Sequence, residues 1–349
     1  MKPRILDCTL RDGSYAINFQ FDAEDTVKIV KGLEDVGIDM IEVGHGVGLG
    51  ASEKGYGVSA ETDETYMKVT SEALKKADWG MFCIPGIASL DDVRMAADYG
   101  MKFIRIGTNI TDYEQSKEFV ELAKKKGMFV CNNFMKSYAS SVEDFAKYAK
   151  EVAEYGSDLV YVVDSAGGML PEEVSGYFKA AKELSPDLQL GFHGHNNLGL
   201  GIGNALHAME AGAVVIDSSL QGIGRSAGNT VTEHLVCILM RRGIDMNIDP
   251  IALSELGDKY IAPLMMNKVT TSLDIITGLT LFHSSYMGVI QEFAVKYRVD
   301  PRKLMVAVTK RDIVNAPRDL VEEEAKKLSE TEPGGKWKAI YKHYYGSEQ

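Results

Sequence analysis

The chain has 349 residues, 45% hydrophobic and 25% charged, a mix that excludes a disordered polypeptide and suffices for a barrel-sized domain with an appended unit. The formal net charge is −12 and the lysines are scattered or grouped in small clusters such as residues 124–126, so there is no basic footprint for nucleic acid. No apolar stretch reaches transmembrane length, and the N-terminal MKPRILDCTL has no cationic segment leading into a long apolar run, which together predict a cytoplasmic protein with no membrane partner.

Residues 5–9 form the first predicted strand, which runs into the turn LRDGS. A helix follows from Asp22 as N-cap, with Val27, Ile29, Val30 and Leu33 at helical spacing on one face. Further strands are predicted at 40–43, at 80–84 (stopped by Pro85 and Gly86), and at 103–106 and 128–132. The last three are 159–163 (ending at Asp164), 188–192 (ending at His193) and 214–216 (ending at Asp217). A helical pattern follows each of them; the one after the third strand opens at Ser89, where SLDD supplies a cap and an acidic first turn. Eight such units in about 240 residues match a closed (β/α)8 TIM barrel better than an open doubly wound sheet, whose first turn would carry a glycine-rich nucleotide fingerprint. After about residue 245 the strand signal stops, and 251–265, 283–297, 301–308 and 316–329 read as helices. The predicted organisation is an α/β barrel over 1–244 and a C-terminal helical region over 245–349 docked near the barrel mouth, with the terminal GSEQ expected to fray. Cys8, Cys83, Cys131 and Cys237 form no CxxC pair; three lie in apolar strand-like runs, so the thiols are expected to be buried and reduced.

The C-terminal strand ends of such a barrel carry its active site. There the sequence delivers Arg11 and Asp12 from strand one, Glu42 and His45 from strand two, Asp164 and Ser165 from strand six, His193 and His195 from strand seven, and QGIGRSAGN (221–229) after strand eight. His193 and His195 are the sharpest feature: on a strand, residues i and i+2 point to one side, so two imidazoles can reach one ion. Asp12, at another strand end, completes a two-histidine, one-carboxylate set that suits Mn, Co, Zn or Fe and leaves positions open. Two histidines hydrogen-bonded in a polar barrel mouth are the plainer alternative. A 2-oxo acid chelates such an ion through a carboxylate oxygen and its keto oxygen, and the ion then stabilises a forming enolate. Arg11 adds a charge that deprotonation cannot remove, and Glu42 is placed either to orient Arg11 or to face substrate beside it and His193. His45 can contact substrate or structure its loop, while His207, His234 and His343 read as ordinary helix or surface histidines. The glycines of GIGRSAGN suit tight turns rather than a phosphate loop, and Met265, Met266 and Met287 suit packing of the helical region along a short apolar exit path.

TLRDGS (9–14), IEVGHG (41–46), VVDSAGGM (162–169), GFHGHNNLGLG (191–201) and GIGRSAGN (222–229) resemble the DRE-TIM metallolyase superfamily of HMG-CoA lyase-like and isopropylmalate synthase-like barrels. Within it, RDGSYA (11–16), HGVGLGASEKGYGVSAETDETY (45–66) and KRDIVNAPRDLV (310–321) make the chain similar to the 4-hydroxy-2-oxovalerate aldolase family over nearly its whole length. The resemblance implies a metal-dependent lyase that cleaves a 4-hydroxy-2-oxo acid to pyruvate and a short aldehyde. It puts the ion on Asp12, His193 and His195, the enolate-stabilising charge on Arg11 and a substrate contact on Ser165. It further implies Mn²⁺ as the usual ion, with Mg²⁺, Co²⁺ or Zn²⁺ as alternatives, a place in aromatic hydrocarbon catabolism, and a homo- or hetero-oligomer paired with an acylating aldehyde dehydrogenase.

Two positions depart from the family pattern. Tyr15 stands where the family has a catalytic histidine, and His283, in LFHSSY (281–286), stands near the family's substrate-contacting tyrosine. An imidazole titrating near neutrality is a better general base than a phenol at about 10, so the exchange implies His283 as base and Tyr15 as the group that binds the hydroxyl or aldehyde end. Otherwise Tyr15 packs and His283 is a satisfied helix histidine. Two further functions stay open: a Claisen-type enzyme joining an acyl-CoA to a 2-oxo acid, a group that usually shows glutamine where Tyr15 stands, and a non-catalytic metal-binding scaffold subunit of a dehydrogenase.

Overall fold

The computed structural model describes residues 2–265 and 270–331; Met266, His343 and the GSEQ end, named above, lie outside the described residues. In chain order the strands and helices are β1 (Arg4–Asp7), α1 (Ala23–Val36), β2 (Met40–Glu42), α2 (Asp63–Ala73), β3 (Asp78–Cys83), α3 (Leu90–Asp98), β4 (Phe103–Asn109), α4 (Lys117–Lys125) and β5 (Phe129–Met135). There follow α5 (Val142–Tyr155), β6 (Leu159–Asp164), α6 (Pro171–Leu184), β7 (Leu190–Gly194), α7 (Gly201–Glu210), β8 (Val215–Ser218) and α8 (Thr232–Arg241). All neighbouring strands are parallel, and β8 pairs back onto β1 with Leu6 opposite Asp217, so the sheet closes into the expected (β/α)8 barrel.

The strand alternation of period two sorts the core into two layers. Ile5, Ile41, Met81, Ile104, Val130, Val160, Val162, Phe192 and Ile216 point outward and pack with the apolar faces of the helices. Leu6, Met40, Phe103, Cys131, Leu159, Tyr161 and Val215 point inward and fill the lower barrel. Toward the C-terminal strand ends the inward positions turn polar: Glu42, Arg105, Asn133, His193 and Asp217 are all buried there. β4 and β5 each run three residues past their predicted ends, to Asn109 and Met135, because their last inward residues meet the polar mouth rather than an apolar core. Cys8, Cys83 and Cys131 are buried and free; Cys237 departs from expectation, lying exposed on the outer face of α8.

Local signals explain the helix starts. The Asp22 side chain accepts the Asp25 amide (2.8 Å) ahead of α1, and Ser89 with Asp92 forms a reciprocal capping box ahead of α3. After the barrel come α9 (Pro250–Tyr260), α10 (Ala262–Met265), α11 (Ser272–Thr280), α12 (Met287–Tyr297), α13 (Pro301–Thr309) and α14 (Arg318–Thr331). The sequence reading missed α11, whose start is a Thr271–Asp274 capping box. It also ran 251–265 together, where the chain breaks between α9 and α10. Leu253, Leu256 and Ile261 of the α9 region belong to the barrel's outer core, whereas Leu273, Phe282, Met287, Ile290, Leu304 and Val321 form a separate core for the helices from α11 onward. Met287 thus packs as expected. No single helix among the described residues is long and apolar enough to cross a membrane.

Candidate active site

The turn after β1 places Asp12. The backbone amides of Asp12 and Gly13 both donate to the Cys8 carbonyl, which folds LRDG into a 3₁₀ turn (Asp12–Ile17) and aims Asp12 across the barrel mouth. Gly13 packs against Ile223 so closely that a Cβ would lie 2.7 Å from its side chain. β7 contributes His193 and His195 on one side of the strand. Ligand atoms of Asp12, His193 and His195 lie within 4.8 Å of one another, and all three residues are buried.

Each group is held ready for an ion. His193 Nδ1 meets Asp217 Oδ2 at 2.8 Å and His195 Nδ1 meets the Gly228 carbonyl at 3.3 Å; both partners accept, which fixes the ring protons on Nδ1 and turns both Nε2 atoms toward the centre. Burial, reinforced by Arg225 and His193, pushes His195 well below its ordinary value, so the imidazole is neutral. Burial alone would raise Asp12, but Arg11, His195, His193 and Arg225 outweigh it and hold the carboxyl well below the usual carboxylate range. Two imidazoles and an ionised carboxylate are the donor set a divalent first-row ion takes.

Beneath this group runs a chain of buried charges. Arg11 Nη1 donates to Asp12 Oδ2 (2.6 Å), and its Nε donates to Glu42 Oε2 (2.7 Å). Arg105 Nη1 donates to the same Glu42 oxygen (2.7 Å), Arg105 Nη2 pairs with Asp217, and Asp217 closes the chain on His193. Arg105 also lies 4.6 Å over the Tyr161 ring and Arg11 4.8 Å over the Phe82 ring. Burial opposes the Arg11 charge, but Glu42 and Asp12 exceed it, so the guanidinium stays protonated and fixed in place.

A cavity of about 920 Å³, counted out to its open mouth, lies over the group, with Arg11, Asp12, Tyr15, Ser165, His193, His195, Arg225 and His283 among its walls. The structure therefore gathers the sequence-derived candidates, with one exception. Glu42 is fully buried, does not line the cavity and grips Arg11 from below, so its place is that of an orienting group rather than a surface for substrate. His45 structures its loop: its ring stacks on Phe19 at 3.9 Å and its nitrogens engage the Val47 amide and the Gly57 carbonyl. Asp164 likewise shapes a turn by accepting the Gly168 and Met169 amides, and burial pushes its carboxyl up to about 7.

Tyr15 and His283 come together around Arg225. The Arg225 guanidinium lies 5.9 Å from the Tyr15 ring, and its Nη1 donates to His283 Nε2 (2.8 Å) while Nη2 reaches the Ser165 carbonyl and His195 Nε2 (both 3.3 Å). His283 Nδ1 accepts the Ser285 backbone amide (3.3 Å) and lies 2.6 Å from Ser285 Oγ. Burial first, then Arg225 and Lys136, depress this imidazole well below its ordinary value. Sequence reasoning missed Arg225, Lys136, Asn133 and Arg105 as site residues. Arg225 had a signal, being the one charged side chain in the glycine-rich loop after β8.

The fold and the site define a (β/α)8-barrel enzyme with a buried two-histidine, one-carboxylate group beside a fixed arginine. The chain belongs to the HMGL-like family, whose model matches residues 2–259. It is 36% identical to 4-hydroxy-2-oxovalerate aldolase of Carboxydothermus hydrogenoformans over 94% of this chain and 98% of that one. It is 38% identical to 4-hydroxy-2-oxovalerate aldolase of Pelotomaculum thermopropionicum over 93% and 96% of the two chains. Membership among these aldolases carries the lyase class that the sequence implied. Among solved structures, the chain superposes on the N-terminal domain of a Bacteroides vulgatus protein described as an aldolase (TM-score 0.68, 26% identity, 79% of this chain and 92% of that one). It also superposes on the carboxyl transferase domain of Rhizobium etli pyruvate carboxylase (TM-score 0.76, 17% identity, 95% and 60% of the chains), a likeness of fold that extends through the C-terminal helices.

Proposed function

We propose that this protein is a divalent-metal-dependent aldolase that cleaves 4-hydroxy-2-oxovalerate, or a close 4-hydroxy-2-oxo acid, to pyruvate and a short aldehyde. The observation that carries the reading is the buried Asp12–His193–His195 group beside Arg11, at the floor of one cavity. Asp12, His193 and His195 would hold a divalent ion, Mn²⁺ in our reading with Mg²⁺, Co²⁺ and Zn²⁺ as the other candidates, which would supply Lewis acidity for the forming enolate.

The protein's own residues do the rest. Ser165 and Arg11 hold the 2-oxo acid end. His283 takes the C4 hydroxyl proton, the C3–C4 bond breaks, and its electron pair passes through C3 and C2 to the keto oxygen beside Arg11. The guanidinium is already oriented by Glu42, so stabilising that charge requires no reorganisation at the moment of bond cleavage. Protonation at C3 then yields the pyruvate methyl group. Tyr15, whose ring lies 5.9 Å from the Arg225 guanidinium, orients the hydroxyl and then the aldehyde oxygen. His283 is neutral in this setting, the state a base requires, and its Nε2 becomes available when Arg225 turns from it toward substrate.

An acylating aldehyde dehydrogenase that consumes the released aldehyde fits this chemistry as a partner, in a homo- or hetero-oligomer, and the separated free thiols suit a cytoplasmic setting. The test is proton exchange at the pyruvate methyl group in D₂O, followed by NMR, on protein stripped of metal and then reloaded with Mn²⁺. The account expects exchange with Mn²⁺ and none without it. Free thiol released from acetyl-CoA with a 2-oxo acid would redirect the reading to a Claisen-type enzyme, and metal bound without any exchange would redirect it to a scaffold.

A further inference from the structure

One wall of the cavity carries a charge that the cleavage chemistry leaves unused. Lys136 directly follows β5, the strand opposite β1 in the closed ring, so it faces the metal-ligand side from across the mouth. The residue is 3% exposed and lines the cavity. Its Nζ donates to the Val314 carbonyl (2.5 Å), lies 3.4 Å from Tyr286 Oη, and makes no ion pair among the described residues. Its backbone sits at φ 57°, ψ 46°, the left-handed region that a glycine would occupy at less cost. Beside it in the wall stands Asn133, 2% exposed, whose buried Oδ1 has no hydrogen-bond partner; a flip of the terminal amide presents Nδ2 at the same point. Apart from Asp12, which Arg11 engages, no carboxylate among the described residues lines the cavity. A lysine serving only to tie the C-terminal helices to the barrel would account for the Val314 contact, but not for the unsatisfied amide at the same wall or for the strained backbone.

We propose that this wall is a subsite for a second anionic group, a carboxylate or phosphate at the end of the substrate remote from its 2-oxo acid, with Lys136 as counter-charge and Asn133 as amide partner. The proposal rests on the aldolase reading and deepens it: among the 4-hydroxy-2-oxo acids that the site cleaves, the wall favours those whose aldehyde half carries an anionic end over 4-hydroxy-2-oxovalerate, whose aldehyde half is uncharged. Burial and Arg225 lower the basicity of Lys136 to about 8 against the smaller opposing pull of Asp312 and Asp112, neither of which pairs with it, and an incoming anion would raise it again.

The test is calorimetric binding to the Mn²⁺-loaded protein. 2-Oxoadipate is compared with 2-oxohexanoate, which has equal length and a methyl end, and in the aldol direction glyceraldehyde 3-phosphate is compared with glyceraldehyde as acceptor for pyruvate. The native protein is expected to favour the terminally anionic member of at least one pair by about tenfold or more, and the pair that shows it identifies the group. Lys136→Arg should keep that preference, and Lys136→Met and the isosteric Asn133→Asp should abolish it. Equal affinities within both pairs in the native protein, or a preference that survives Lys136→Met, overturns the subsite. Should Lys136→Met not fold, the native ratio and Asn133→Asp decide. Pyruvate methyl exchange, run alongside, keeps the two claims apart: intact exchange with equal affinities sinks only the subsite, whereas absent exchange sinks the aldolase reading and leaves the binding ratio to judge the wall.

Discussion

Replacing Arg105 with methionine probes the charge chain that holds the site. Arg105 is fully buried and links Glu42 to Asp217, both of them also buried. Each contact has a gross Coulomb attraction of about 4 kcal/mol at an effective dielectric of 20, largely offset by the cost of taking both charges out of water. Removal of one partner leaves the others uncompensated, and the expected loss of stability is about 3–5 kcal/mol at pH 7.5. Arg11 still contacts Glu42 and His193 still contacts Asp217, which favours the lower end of that range. The sign with pH follows from Asp217: burial raises its carboxyl and Arg105 is the largest influence holding it below the ordinary value, so without Arg105 the deficit is full at neutral pH and shrinks as falling pH protonates it. Urea unfolding at pH 7.5 and pH 5.5 reads the effect, and adding Glu42→Gln should recover part of it. A loss below about 1 kcal/mol at both pH values would refute the reasoning, because it would mean the buried carboxylates do not depend on Arg105.

Asp217→Asn removes the acceptor that fixes the His193 ring proton, and metal affinity measured by chelator competition should fall about 10–100-fold; unchanged affinity would contradict the orienting role. Lys136 is lowered from 10.5 to about 8, a cost of roughly 3 kcal/mol that is full below pH 8 and fades between pH 8 and 10.5. Lys136→Met, after loss of the Val314 contact, should therefore stabilise the protein by about 1–3 kcal/mol at pH 7, a gain that dwindles at higher pH; destabilisation in urea titrations would make Lys136 a structural tie instead. His283→Ala should lower the cleavage kcat by about 10²–10⁴-fold, and near-normal turnover would remove it from the base role. Since burial, Arg225 and Lys136 hold His283 well below 6.5, cleavage by the native protein should persist through pH 6.5 and decline only at lower pH, where the base protonates; an inflection at 6.5 in the kcat profile would contradict this environment.

The barrel was legible because parallel strands buried on both faces read as short apolar runs, and eight of them alternate with capped helices. The gathering of Asp12, His193 and His195 was legible because two histidines at i and i+2 share a side of a strand, whatever the rest of the fold does. What the sequence hid are meetings across the ring. Arg105 in FIRIG reads as an ordinary polar interruption of a strand, and nothing local announces that Glu42 of β2 and Asp217 of β8 close on it. Glu42 itself was read as a substrate contact as well as an orienting group, since periodicity gives the side of a strand but not the depth. Lys136 depends on a left-handed turn after a strand that runs longer than its apolar stretch, and Arg225 on the fold of a glycine-rich loop; neither has a periodic signature. The Tyr15–His283 pairing is intermediate: the departures were visible as residue types, but their convergence on Arg225 needed the three-dimensional arrangement.

The most direct test of the central claim is pyruvate release from 4-hydroxy-2-oxovalerate by native protein and by Asp12→Asn, each stripped of metal and then titrated with Mn²⁺. The account predicts no release from stripped native protein, full release on reloading, and none from Asp12→Asn at any Mn²⁺ concentration. Release without metal, or native-like release from Asp12→Asn, would contradict the assignment of Asp12, His193 and His195 as the centre of the reaction.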